Sequence, residues 1–361
     1  MAQQPLAPDT GERGWYVAEA ALCRSPVQVK RSVRQRILTA RCGFCHSEAY
    51  MAVDRLRQDI STFLQFNIPH DTVPFETHAV VTEHDYDRIQ IIYANDEQGP
   101  IPAFLLMPHG AGPFPAVLVH HQHNSQWHLG KSEVCGLVGD PWQAFGPALA
   151  HHGIVVLAPD ALCFEDRRAQ RSGIEPDPRP GADWLQHYNA LCYRLLRGDT
   201  LMQRVLADAA RGVSLLRAHR AVDHQRIGTL GHSYGGNTVL FHAAVDVRVS
   251  FACASGAACT YATKMQQGTG IEMAEVIPGF TQRFDVQDLV KCLAPRHTLL
   301  VSATDDPYSH DAEDIVQAAR ETFAALGAAH NVKHKQYSGG HALTQKRFDD
   351  IIAWIVAVCR T

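Results

Sequence analysis

The stretch Gly231-His232-Ser233-Tyr234-Gly235-Gly236 leaves the backbone few courses to follow. It stands between Arg226-Ile227-Gly228-Thr229-Leu230, which reads as a short strand, and Asn237 to Ala244, whose apolar residues open a helix. A G-x-S-x-G pattern between strand and helix predicts a sharp turn with the serine hydroxyl lifted clear at its tip, since the flanking glycines remove Cβ atoms that would clash as the chain reverses. The plainer reading is a glycine-rich turn whose serine caps a helix. Only the first needs an acid and a base elsewhere in the chain.

The surrounding pattern predicts an α/β fold. From about Phe75 four strands follow one another: Thr77 to Thr82, Asp87 to Ala94, Ile101 to Met107 and Pro115 to His121, separated by Gly, Pro, Asn and Asp. Strands and helices then alternate, with strands at 154–158, 226–230, 247–254, 297–303 and 332–337 and helices at 141–150, 201–217, 311–326 and 345–358. Such alternation predicts a mostly parallel sheet with helices on both faces and antiparallel strands at one edge. Residues 1–75 read as a helical N-terminal extension before a catalytic domain at 76–361, with helices at Val27 to Ala40 and Ala49 to Phe66. In the second, Met51, Val53, Leu56, Ile60, Phe63 and Leu64 recur at near-helical spacing. Residues 164–199, with three prolines at 176, 178 and 180 and the aromatics Trp184, Tyr188 and Tyr193, are too long for an ordinary connection and read as a partial lid.

A serine hydroxyl is a poor nucleophile at neutral pH, so Ser233 needs a base and a carboxylate that orients it. After such an elbow the expected order is serine, acid, histidine. The strand Leu299 to Ala303 runs into Asp305-Asp306, of which Asp306 is preferred, leaving Asp305 as neighbour or cap. Ser338-Gly339-Gly340-His341 follows the next strand, and His341 is preferred over His310 and His334. The oxyanion donors are expected at the backbone N–H of Tyr234 and, in the loop His120-His121-Gln122-His123-Asn124, at Gln122, with His123 as second choice. His123 and His232 are candidates for lining the substrate pocket.

From about residue 100 to 358 the chain resembles the α/β-hydrolase superfamily, in its dienelactone-hydrolase-like and acetyl-xylan-esterase-like branch. The resemblance rests on Pro115 to His121, Gly153 to Asp160, Leu196-Arg197-Gly198-Asp199-Thr200-Leu201, Val222 to Gly228 leading into the elbow, Ala294-Pro295-Arg296-His297 and Gly339-Gly340-His341. It implies a serine esterase that cleaves a carboxylic ester through an acyl-enzyme, with no cofactor. The runner-up is an amidase or peptidase of the prolyl-oligopeptidase type. From another class, a noncatalytic binding protein with this fold would require a broken triad.

Two motifs compete with this reading. Cys42-Gly43-Phe44-Cys45-His46 matches a haem-attachment pattern, but that chemistry needs an exported chain and an axial partner. His120, His121, His123 and His128 suggest a metal cluster, yet His120 and His121 point to opposite faces of a strand, and no metal is expected. The formal charge of −4 gives no footprint for nucleic acid. No apolar run reaches the ~18 residues that cross a bilayer, and the start lacks a signal-peptide pattern. Ten cysteines scattered in a chain of 361 residues suit reduced thiols. The expectation is a cytoplasmic protein acting on a small-molecule ester, with a homodimer through the N-terminal helices as its partner.

Overall fold

The computed structural model describes residues 47–360 apart from 70, 71, 95, 96 and 98. The first proposed helix, Val27 to Ala40, and the Cys42, Cys45, His46 motif lie outside the described residues. A helix over 47–63, α1, precedes nine strands: β1 (Phe75–Thr82), β2 (Tyr86–Ala94), β3 (Pro100–Pro108), β4 (Phe114–His120), β5 (Val155–Pro159), β6 (Val222–His232), β7 (Phe251–Ser255), β8 (His297–Ala303) and β9 (Val332–Tyr337). Helices α2 (Lys131–Val134) and α3 (Phe145–Ala150) join β4 to β5, and α4 (Ala182–Arg197) and α5 (Leu201–Ala218) join β5 to β6. Beyond β6 come α6 (Tyr234–Val245), α7 (Tyr261–Gln267), α8 (Val286–Lys291), α9 (Ala312–Ala325) and α10 (Gln345–Cys359).

All nine strands form one sheet in the order β1-β2-β3-β5-β4-β6-β7-β8-β9. β1, β2, β3 and β5 pair antiparallel, and every pair from β5 to β9 is parallel. The expected edge meander and parallel body are both present. The central strands are buried along their length because helices cover both faces, which is why they read as unbroken apolar runs. Alternation divides them between two cores. Ala116 and Leu118 of β4 join the cluster under α5, α6, α8 and α9, while Val117 and Val119 join the one under α3 and α10.

Helix α1 packs into the first of these cores. Val53, Ile60 and Leu64 are buried, Phe63 sets its ring edge against Phe280 and Phe284, and Arg57 Nη2 donates to the Cys292 carbonyl at 2.9 Å. Met51, counted in the apolar stripe from spacing, is exposed, because two residues of helix turn it about 200° away from Val53.

The 164–199 insertion is more regular than its prolines suggest. Its second half is the 16-residue α4, bounded by Gly181 and Gly198 in left-handed conformations (φ 75° and 84°). The apolar period is blurred because Leu185, Tyr188 and Leu196 sit on its exposed side. Arg168 ties the preceding loop to this helix through a two-pronged bond to Asp183, at 2.9 and 3.0 Å. At 141–150 the expected single helix is a short 3₁₀ turn, Pro141–Gln143, capped by Asp140, followed by α3. No described helix is long and apolar enough to cross a membrane.

Ile60 is fully buried where α1 meets the core. Ile60→Ala is expected to cost about 2–5 kcal/mol in equilibrium urea unfolding; a loss below about 1 kcal/mol would mean that α1 is not part of the cooperative core.

Candidate active site

The turn at Ser233 is as sharp as its glycines allow. Ser233 has φ 57° and ψ −124°, outside the regions L-residues favour. A Cβ at Gly231 would lie 2.3 Å from the carbonyl carbon of Gly235, and one at Gly235 would lie 2.2 Å from the His120 carbonyl oxygen. At Gly236 it would lie 2.7 Å from the Ser255 oxygen. Glycine at these positions is therefore a packing requirement, and it lets α6 start directly against the ends of β4 and β7. The Ser233 N–H donates to the Ser255 carbonyl at 2.8 Å, which fastens the turn to β7.

Two loops bring the other candidates to the serine. His341 Nε2 lies 2.7 Å from Ser233 Oγ, and His341 Nδ1 lies 2.9 Å from Asp306 Oδ1. Asp306 is buried just after β8, where it also accepts from the Tyr308 N–H at 3.0 Å and the Ser309 hydroxyl at 2.6 Å. Burial pushes its carboxyl up, but the bonds from His341, Ser309 and Tyr308 outweigh that and hold it below the ordinary carboxylate value. Asp305 is exposed and engages the neighbouring loop only through its backbone, to the Gly339 carbonyl at 3.0 Å. Of the rival histidines, His310 is exposed and His334 bonds Ser302 at 2.7 Å.

The structure adds supports that the motif pattern did not reveal. Arg347, buried on α10, donates to the carbonyls of Gly340 and Ala342 at 2.9 and 3.0 Å, clamping the loop that carries His341. It stands close to His341 in sequence, but an arginine in the first turn of a helix carries no signal that its side chain folds back onto the preceding loop. His341 lies between two rings, tilted over His232 at 4.8 Å and edge-on to Tyr308 at 4.8 Å. His232 is buried, with Nδ1 3.0 Å from Ser255 Oγ, so it forms the floor beneath His341.

Tyr234 is the first residue of α6, and a first-turn N–H has no partner within its own helix. Gln122 follows β4 in the loop against which Gly235 packs. Next to it, His123 stands edge-on to Trp127 at 4.7 Å, with Phe164, His187 and Tyr234 completing an aromatic layer. His187 comes from α4, so the insertion does reach this side of the site. Its Nδ1 accepts the Trp127 indole N–H at 2.9 Å.

The histidines singled out by sequence have separate surroundings. His121 Nδ1 bonds the Gln122 carbonyl at 2.8 Å while its Nε2 accepts the Ala161 N–H at 3.0 Å, so both ring nitrogens are engaged. His120 faces the other way, against His242. His128 is half-buried. One cluster has ligand-like spacing: Asp160, Glu165 and Asp166 converge, and the buried Lys131 ammonium occupies their centre at 2.8, 2.5 and 2.6 Å.

Burial holds several of these rings neutral. It pushes His121 down to about 4 and His187 and His232 to about 3, with the neighbouring His123 adding to the shift of His187 and His341 to that of His232. Between these values and the free value near 6.5, the unfolded chain binds protons that the folded protein refuses, so stability falls as the pH falls through that window. Each such ring contributes up to about 1.4 kcal/mol per pH unit. Depressed carboxylates such as Asp306 add their loss only as the pH falls below about 4. Urea unfolding is therefore expected to show a steep loss of stability from pH 6.5 to pH 4.5; a flat profile there would contradict neutral burial.

The comparisons with known proteins agree with this architecture. The prolyl oligopeptidase family matches residues 194–359, the part that carries the elbow and the two later loops. The chain is 26% identical over 246 residues to a Bacillus subtilis (strain 168) protein named "Putative hydrolase YtaP", covering 66% of this chain and 77% of that one. Among solved structures, a putative acetyl xylan esterase from Bacteroides fragilis superposes with a TM-score of 0.67 at 15% identity, covering 81% of this chain and 76% of the other. A glucuronoyl esterase from Solibacter usitatus does so with a TM-score of 0.61 at 14% identity, covering 84% and 92%. With the sheet order and the elbow, these findings show that the chain has the fold of the α/β-hydrolase superfamily.

Proposed function

We propose that the protein is a serine hydrolase that cleaves carboxylic esters through an acyl-enzyme. The observation that carries this reading is the unbroken chain of hydrogen bonds from Ser233 Oγ to His341 at 2.7 Å and on to Asp306 at 2.9 Å. In the first half of the reaction, Ser233 Oγ attacks the ester carbonyl carbon and its proton passes to His341 Nε2. Asp306 holds the Nδ1–H side of the ring and balances the imidazolium charge. The carbonyl oxygen becomes an oxyanion facing the N–H groups of Tyr234 and Gln122. Collapse of the tetrahedral intermediate breaks the C–O bond, and His341 returns its proton to the leaving alcohol. A water molecule then repeats the sequence on the acyl-serine, giving up a proton to His341 and releasing the carboxylic acid and Ser233.

The esterase reading draws on the acetyl xylan and glucuronoyl esterases among the structural neighbours. It favours a small ester of the kind served by the dienelactone-hydrolase-like and acetyl-xylan-esterase-like branch, with His123 at the pocket wall. A peptidase reading keeps one specific support, the match of residues 194–359 to the prolyl oligopeptidase family. The two differ in leaving group, so p-nitrophenyl acetate and a peptide p-nitroanilide separate them: the ester is expected to turn over and the anilide to remain intact, whereas preferential anilide cleavage would favour the peptidase.

Ser233→Ala should remove hydrolysis of p-nitrophenyl acetate by a factor on the order of 10³ or more while leaving the melting transition in place. Asp306→Asn should lower kcat by on the order of 10³–10⁴-fold, because its amide cannot hold the required tautomer of His341. Asp305→Asn should stay within about twofold, as for an ordinary surface change. Equal losses in the two asparagine variants would contradict the assignment of the acid.

A further inference from the structure

The loop after β4 is anchored more heavily than a connection needs. Gln122 is buried, and two of its polar groups are taken by buried partners. Its side-chain amide donates to Glu133 Oε1 at 3.0 Å, and its carbonyl oxygen bonds His121 Nδ1 at 2.8 Å. Neither engagement uses its backbone N–H. With the side chain and the carbonyl held, the Gln122 Cα and its nitrogen are anchored, and the N–H keeps only the rotation about the N–Cα bond, which the preceding His121, buried and held at both ring nitrogens, restricts.

Glu133 is itself immobilised. Its Oε1 also accepts the Asp140 N–H at 3.2 Å. Gly139, at φ +86°, lets that turn close on the carboxylate; a Cβ there would lie 2.7 Å from Glu133 Oε1. Glu133 belongs to α2, whose start is tied to the segment after β5: Glu165 Oε2 accepts the N–H groups of Gly130 and Ser132 at 3.0 Å each, and Asp160 Oδ1 accepts that of Lys131 at 2.8 Å. The restraint on Gln122 therefore runs through Glu133 and α2 to the end of β5.

We infer that Glu133 is a positioning residue for the reaction: by holding the Gln122 side chain, it aims the Gln122 N–H at the oxyanion. This rests on the serine-hydrolase reading above. A carboxylate needed only for folding would change stability, and one that aims an oxyanion donor changes transition-state binding selectively. Glu133→Ala is therefore expected to lower kcat about 10- to 100-fold with KM within about twofold, a part of what losing an oxyanion donor outright costs. Glu133→Gln keeps a carbonyl oxygen that accepts from Gln122, so it should return kcat to within about threefold of the wild type. Gln122→Ala keeps the backbone N–H but removes the tether, so it should match Glu133→Ala. The double variant should be no worse than either single one, since all three lose the same bond.

Binding of an alkylboronic acid, which adds to the serine as a tetrahedral anion, should weaken in parallel with kcat/KM, while binding of the product carboxylate stays unchanged. Wild-type kcat in Glu133→Ala, strictly multiplicative losses in the double variant, or equal impairment in Glu133→Ala and Glu133→Gln would overturn the inference. Should Glu133→Ala fail to fold, Gln122→Ala decides alone, and wild-type kcat in it overturns the inference. Failure of the underlying reading is told apart by Ser233→Ala, which would then keep its activity.

Discussion

The backbone of Ser233, at φ 57° and ψ −124°, is the constraint on which the rest of the site depends. A non-glycine residue in such a conformation costs on the order of 1–3 kcal/mol and persists only where its surroundings over-determine it. Here they do: β6 delivers the residue, the Ser255 carbonyl holds its N–H, and α6 begins in contact with the end of β4 because Gly231, Gly235 and Gly236 leave no Cβ in the way. Unusual backbone is concentrated around the site. Of the six described non-glycine residues with positive φ, five lie at the elbow or in loops beside it: Asn124, Ser125, Cys163, Glu165 and Ser233.

The order of the strands turns that local geometry into a site. β6 lies between β4 and β7, with β8 and β9 beyond, so one end of the parallel strands gathers the loop after β4, the elbow, Asp306 and His341 on neighbouring connections. Each candidate is then held by neighbouring side chains and backbone groups. Ser309 and the Tyr308 N–H support Asp306, Arg347 clamps the His341 loop, and His232 and Tyr308 enclose the His341 ring. On the other side, Glu165 and Asp160 fix α2, Glu133 holds Gln122, and Lys131 offsets the carboxylates beneath. In the proposed reaction, an array so fixed needs little reorganisation as charge develops.

Much of this was legible in the sequence, and for physical reasons. Strands buried on both faces must be apolar along their length, so β4, β5, β7 and β8 stood out; the elbow requires glycine at fixed offsets from the serine, so it stood out too. Asp306 and His341 followed from their places after strands. The supports were not legible. Glu133, Arg347 and Lys131 act through contacts set by tertiary packing, with no spacing that announces them. Helix α4 was hidden because its outer side carries Leu185, Tyr188 and Leu196, which erases the polar half of the period. The choice between Asp305 and Asp306 turned on one residue of register, and the paths of the two loops bring Asp306, not Asp305, to His341.

The central claim is that Ser233 is the nucleophile, and covalent capture tests it most directly. A p-nitrophenyl alkylphosphonate presented to the folded protein should add one phosphonyl group per chain, located by peptide mass spectrometry on Ser233, with release of one equivalent of p-nitrophenol and loss of ester hydrolysis in proportion. Label on any other residue, or ester hydrolysis that continues after Ser233 is fully labelled, would contradict the account.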